Sequence, residues 1–145
     1  MKTLLTFFLV GFSTYAQAES LESSIDCLAK NIYFEARSQS IKGQYAVGFV
    51  TINRLKSGKY ANSICGVVYQ YKQFSWTLAK DLVVNYKGEA WERAKNIAKS
   101  VLKYPKLYDH TKGALFYHTT TTKPTWSTNM VATSVIESHI FYKLN

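Results

Sequence analysis

One carboxylate stands where a proton-transfer group would be placed. Advancing about 100° per residue gathers Ile25, Leu28, Ala29, Ile32 and Ala36 on one face of a helix, and Glu35 falls about 20° from Leu28, at the edge of that face. A carboxyl group there is partly desolvated, which disfavours its ionised form and raises its pKa. A general acid working near neutral pH needs that state. The same position also suits a glutamate paired with Arg37 or with a lysine.

The other chemistry-bearing residues are less sharply patterned. His110, His118 and His139, with Asp109 beside the first, supply metal-ligand types. No H-E-x-x-H or closely spaced histidine pair is present, so no metal site is expected. His118 and His139 fall on two predicted strands and could face one cleft, with hydrogen-bonded structural roles as the favoured reading. A G-x-S-x-G nucleophile elbow and a phosphate-binding loop are both absent. Aromatic residues number 22 among 145, and most of them must be core. Tyr33, Phe34, Phe74, Trp76, Tyr117 and Trp126 flank polar residues, an arrangement that suits sugar rings.

The elements that position these groups read as helices first and strands last. Ser23 to Asp26 has the S-x-x-D form of a helix start, so a first helix is predicted from about Ile25 to Arg37. A second covers about Ile41 to Lys56. It is apolar on most faces, as a central helix is, and Gly58 can end it. Ser63 to Gln70 is predicted as a short helix carrying Cys65, and Gln73 to Trp76 as an aromatic loop. Glu89 to Lys103 is strongly amphipathic, with acids at its start, lysines near its end and Pro105 to stop it. Ala114 to Thr119 and Val135 to Tyr142 alternate and read as two paired strands across the 119–129 connection. The order implies an α+β domain, mostly helical, with a small antiparallel β-element near the C-terminus.

Composition sets the compartment and removes several classes. Hydrophobic residues make up 47% and aromatics 15%, which excludes disorder, and no internal repeat is present. Lys2, the apolar run Leu4 to Phe12 and the small-x-small triplet Ala16-Gln17-Ala18 form an export signal. Residues 1–18 are expected to be cleaved, leaving 19–145 as the mature domain, exported to the periplasm or secreted. The apolar run is too short to cross a bilayer, which takes about 20 residues, so no stable membrane insertion is expected. The formal charge of +9 falls to +8 when Lys2, the one charged residue of the signal, is removed. The lysines are scattered and match no nucleic-acid motif, so the charge points to anionic envelope polymers as partners, with solubility alone as the equal alternative, and not to nucleic acid. Nothing in the sequence calls for an oligomer. In an oxidising compartment the only two cysteines, Cys27 and Cys65, read as a disulfide, with two buried free thiols as the alternative.

Several segments, in order, resemble the SleB-type cell wall hydrolases, the family of spore-cortex-lytic catalytic domains. They are Cys27-Leu28-Ala29 leading into Ile32-Tyr33-Phe34-Glu35-Ala36-Arg37, then Gly43-Gln44-Tyr45-Ala46-Val47 leading to Asn53-Arg54. Cys65-Gly66-Val67-Val68-Tyr69-Gln70 and Gln73-Phe74-Ser75-Trp76 follow. The last are Gly113-Ala114-Leu115-Phe116-Tyr117-His118, Pro124, Trp126 and His139-Ile140-Phe141-Tyr142. The Y-F-E-A-R core is the most specific. The resemblance implies a lysozyme-like fold, cleavage of peptidoglycan glycan strands and a catalytic role for Glu35. The family pattern commonly continues Gly-Glu after this core, whereas this sequence has Ser38-Gln39, so a second carboxylate is missing here.

The resemblance thus implies a lytic transglycosylase with one catalytic glutamate. It would cut between N-acetylmuramic acid and N-acetylglucosamine and leave 1,6-anhydro ends, without a cofactor. Asn53, Gln73, Ser75, Tyr117 and His118 are expected to orient the sugar, Phe74, Tyr117 and Trp126 to pack against it, and His139 to border the same cleft. Two alternatives stand beside this reading: an N-acetylmuramoyl-L-alanine amidase, supported only by the three histidines, and a non-catalytic wall-binding module.

Overall fold

In a computed structural model, which describes residues 18–104 and 107–145, four helices precede a three-stranded sheet. The expected export signal, apart from Ala18, and Pro105 lie outside the described residues. Helix α1 spans Leu21–Ala36 and α2 spans Ile41–Ser57. The short α3 is Ile64–Tyr69, and α4 is Glu89–Lys103. The strands are β1 Phe116–Thr119, β2 Val131–Ile136 and β3 His139–Lys143. The architecture is α+β, with the antiparallel β-element near the C-terminus.

Helix α1 starts four residues before the predicted Ile25. Its N-cap is Ser20, whose hydroxyl accepts from the Ser23 backbone N–H at 3.1 Å. Ser20 satisfies an orphan donor of the first turn, and Ser23 and Ser24 are absorbed within the helix. The face predicted to be apolar is the buried one: Ile25, Leu28, Ala29, Ile32 and Ala36 are all at most 3% exposed. Helix α2 is capped by Ser40 and ended by Gly58 at φ +66°, a left-handed conformation that favours glycine. Helix α4 has the predicted bounds, because its apolar stripe and end charges are both well formed.

Helix α2 is shared between two apolar clusters. Phe49 and Ile52 join α1 and α4 in the larger one, while Ala46 and Val50 face the sheet with Ala114, Ile136 and Phe141. A β-carbon on Gly48 would stand 3.3 Å from Ile32 and 3.6 Å from Val101, so a glycine lets α1, α2 and α4 close on one another. The disulfide Cys27–Cys65 ties α3 to α1.

The sheet corrects one prediction. The expected single strand Val135 to Tyr142 is two strands joined at Glu137-Ser138, and the sheet order is β1-β3-β2, all antiparallel. Glu137 adopts φ +51°. This turn lacks the Gly, Asn or Asp that usually marks a tight hairpin. Tertiary contacts hold it instead. The Glu137 carboxylate accepts from the Ser40 backbone N–H at 2.8 Å, and the Ser138 hydroxyl donates to Gln39 Oε1 at 3.0 Å. The hairpin tip is thereby fastened to the α1–α2 connection, immediately after Glu35 in the chain.

Candidate active site

Glu35 lies in the last turn of α1, half-buried. Its Oε2 accepts a 2.7 Å hydrogen bond from the Tyr117 hydroxyl on β1. Burial raises the Glu35 pKa above the usual carboxylate range. The Tyr117 hydrogen bond and the positive charge of Arg54 pull it back. Burial, then the Glu35 charge, pushes Tyr117 well above its ordinary value, so it keeps its proton and serves as the donor. The arrangement is a desolvated carboxyl held in one orientation, able to give a proton and take one back.

The parts that hold Tyr117 come from across the fold. Its ring packs edge-on against His139, 5.2 Å between centroids, and obliquely against Phe141 at 5.5 Å. Upstream of β1, Asp109 closes a turn by accepting from the Thr111 N–H at 2.8 Å and the Gly113 N–H at 2.9 Å. Asn53 on α2 clamps that turn. Its amide donates to Asp109 at 2.8 Å and to the Ala114 carbonyl at 3.2 Å. Asn53 was expected to orient the sugar, but its donors are committed to positioning β1.

A cleft of about 320 Å³ opens beside Tyr117, lined by Arg54, Lys72, Gln73, Phe116, Tyr117, Trp126 and Met130. Of the expected sugar-binding residues, it brings together Gln73, Tyr117 and Trp126. None of the lining residues is acidic. Lys72, Phe116, Met130 and Arg54 were not among the expected site residues. Arg54 was the one with a signal: a cation four residues after Val50 on the buried face of α2.

The Gln73–Trp76 segment alternates between anchors and open positions, and it is tighter than the expected loop: a 3₁₀ turn runs Ser75–Leu78. Phe74 is 3% exposed and lies under the Arg54 guanidinium at 4.8 Å. Trp76 stacks on Phe34 at 4.7 Å and donates its indole N–H to Asn31 at 2.8 Å. Phe74 therefore lies behind the cleft wall, under Arg54, and is not one of its lining residues. Ser75 is exposed but is not a lining residue.

The two strand histidines do not face one cleft. In the β1–β3 register Thr119 pairs with His139 and His118 with Ile140, so the two rings lie on opposite faces of the sheet. His139 is 5% exposed, behind Tyr117, and burial lowers its pKa more than neighbouring Glu137 raises it. His118 stacks on Tyr142 at 5.1 Å and meets the edge of Trp126 at 5.5 Å. Its Nδ1 donates to the Thr119 carbonyl at 2.8 Å, which leaves Nε2 to accept from the Tyr142 hydroxyl at 2.9 Å. It steadies the Trp126 wall. His110 packs in a loop against Tyr108 at 4.7 Å.

The chain and its fold have counterparts among known proteins. The chain is 30% identical over 126 residues to the spore cortex-lytic enzyme of Bacillus cereus, covering 84% of this chain and 45% of that protein. It is 30% identical over 122 residues to the spore cortex-lytic enzyme of Bacillus subtilis, covering 82% of this chain and 37% of that protein. The chain thus spans less than half the length of these curated relatives. The crystal structure of the catalytic domain of the Bacillus cereus SleB protein superposes with a TM-score of 0.70 at 26% identity, over 92% of this chain and 99% of that one. The catalytic domain of the germination-specific lytic transglycosylase SleB from Bacillus anthracis gives the same TM-score, 0.70, at 26% identity, over 90% of this chain and 98% of that one. The family model described as Cell Wall Hydrolase matches residues 38–142, a range that begins just after Glu35. Sequence and fold together place this chain in the cell wall hydrolase family.

Proposed function

We propose that the chain cleaves peptidoglycan glycan strands between N-acetylmuramic acid and N-acetylglucosamine, as a lytic transglycosylase with Glu35 as its one catalytic carboxylate. The observation that carries this reading is the half-buried Glu35, held by Tyr117, beside a cleft whose lining residues include no acid. Two-carboxylate glycosidases place paired acids on either side of the scissile bond. Here a one-acid route fits the residues better. Protonated Glu35 gives its proton to the glycosidic oxygen as the bond to C1 breaks. The substrate's own N-acetyl carbonyl oxygen closes on C1 and relieves the oxocarbenium-like charge. Ionised Glu35 then takes the proton of the C6 hydroxyl, whose oxygen displaces the acetamido group from C1. The product is a 1,6-anhydro end, and no water is consumed. Gln73 is suited to orient the sugar, and Tyr117 and Trp126 to pack against it. Export, read from residues 1–18, brings the chain to this substrate.

Mass spectrometry of digested peptidoglycan tests the reading. Anhydro-muropeptides are the expected products. Reducing muramic ends indicate hydrolysis, and free stem peptides indicate an amidase; either result as the main product overturns the proposal.

The Tyr117 hydrogen bond gives a signed pH prediction. It favours ionised Glu35 and so lowers the Glu35 pKa. Tyr117→Phe removes that bond and leaves the ring. The Glu35 pKa then rises, the protonated acid persists to higher pH, and the alkaline limb of the kcat/KM profile moves upward. A limb that stays in place or moves down shows that another group controls it.

A further inference from the structure

We infer that Arg54 is a substrate-binding residue, whose guanidinium grips a carbonyl or carboxylate oxygen on the amino-sugar substituents of the glycan. This rests on the reading of the cleft as a glycan site. A guanidinium carries five N–H donors in a planar fork. Among the described residues Arg54 uses one of them, donating from Nε to the Leu115 carbonyl at 2.7 Å. Nη1 is buried with no partner. The rings of Phe74, Tyr60 and Phe116 lie 4.8, 5.3 and 5.9 Å from its central carbon. These contacts ease the burial of the charge but accept none of its in-plane N–H groups.

No carboxylate balances Arg54 directly. The ion pairs among the described residues are Lys30–Asp26 and Lys95–Glu92. A nearly buried cation with unused donors is costly to fold around. An unsatisfied polar group of this kind calls for an explanation, and a ligand in the cleft is the one we infer. The 5% of Arg54 that stays exposed is part of that wall, beside Gln73 and Tyr117. The planar fork matches a carbonyl or carboxylate better than a hydroxyl. On the proposed substrate two groups offer that chemistry: the N-acetyl carbonyl and the lactyl carbonyl or carboxylate of muramic acid.

Arg54→Lys keeps the charge and removes the fork. The expected result is a KM for glycan strands raised about 10- to 100-fold, the loss of one charge-assisted hydrogen bond. The expected kcat stays within about threefold. A merely structural role gives a lower melting temperature with KM unchanged below it, and that result overturns the inference. Two further ligands identify the oxygen, compared by dissociation constant because the N-acetyl group also takes part in turnover: strands stripped of N-acetyl groups, and strands with the lactyl carboxyl reduced to an alcohol. The ligand that wild type and variant bind equally names the source, and a gap in binding that persists on both overturns the carbonyl contact. A second measurement needs no change at Arg54. In Glu35→Gln protein, the Arg54 side-chain NMR signals are expected to shift on adding a glycan tetrasaccharide; signals that stay put as the sugar binds overturn the inference. Wild-type protein that leaves glycan strands intact sinks the cleft reading and this inference with it. Active wild type beside an Arg54→Lys variant of unchanged KM sinks the inference alone.

Discussion

Glu35→Gln is expected to lower the release of anhydro-muropeptides by at least 10²- to 10⁴-fold, the range a positioned general acid–base contributes. Glutamine keeps the size of the side chain and an oxygen that accepts from the Tyr117 hydroxyl, now 2.7 Å from Glu35. It can neither give nor take the proton. The fold is expected to survive, and the sign of the pKa shift says why. Burial raises the Glu35 pKa, so the folded chain holds this proton more tightly than the unfolded chain. The stability that comes from this group is full below its unfolded pKa and is lost as pH rises through the folded one. Once ionised, this buried carboxylate is a burden to the fold, and a neutral amide removes it. Circular dichroism should therefore match wild type, and binding to insoluble peptidoglycan should be retained. A folded variant that keeps more than about a tenth of wild-type activity defeats the assignment.

Much of this site is written in helical periodicity, because one short segment carries both the core face of α1 and the carboxylate at its edge. Ile25, Leu28, Ala29, Ile32 and Ala36 are buried as their spacing requires, and Glu35 stands beside them, half-buried. Helix α4 was equally legible. Sequence alone is weaker where long-range contacts override local chemistry. The Glu137-Ser138 turn carries no usual hairpin residue and sits within an alternating run, so Val135 to Tyr142 read as one strand. The contacts that hold the turn lie at Ser40 and Gln39, nearly a hundred residues away. Arg54 was missed as a site residue because the rings that surround it come from α2's flank, the 70–76 segment and β1. Asn53 and Phe74 stand out in the sequence, but their partners do not: the Asn53 amide donates to Asp109 and to the Ala114 carbonyl, and Phe74 lies under Arg54. Spacing marks such residues as unusual, but only packing separates a residue that meets the ligand from one that holds the wall.

Loss of the Cys27–Cys65 disulfide is expected to cost about 3–4 kcal/mol of stability, because the open chain regains the loop entropy of the 38-residue separation it bridges. For a domain of this size the melting temperature should fall by roughly 10–15 °C. The bond ties α3 to α1, and α3 leads directly into the segment that brings Lys72 and Gln73 to the cleft. That segment has anchors of its own. Trp76 donates to Asn31, Phe74 lies under Arg54, and Gln70 Oε1 accepts from the Ala61 N–H at 3.0 Å. The stability loss should therefore greatly exceed the loss of turnover per folded molecule. Thermal unfolding and peptidoglycan release, measured for wild type and the Cys27→Ala/Cys65→Ala variant well below either melting point, separate the two effects. Equal melting temperatures, together with two freely alkylated thiols in the native wild type, would show that the bond does not form. A variant that is folded at low temperature yet inactive would give the bond a second role, holding the 70–76 segment against the cleft where its own anchors do not suffice.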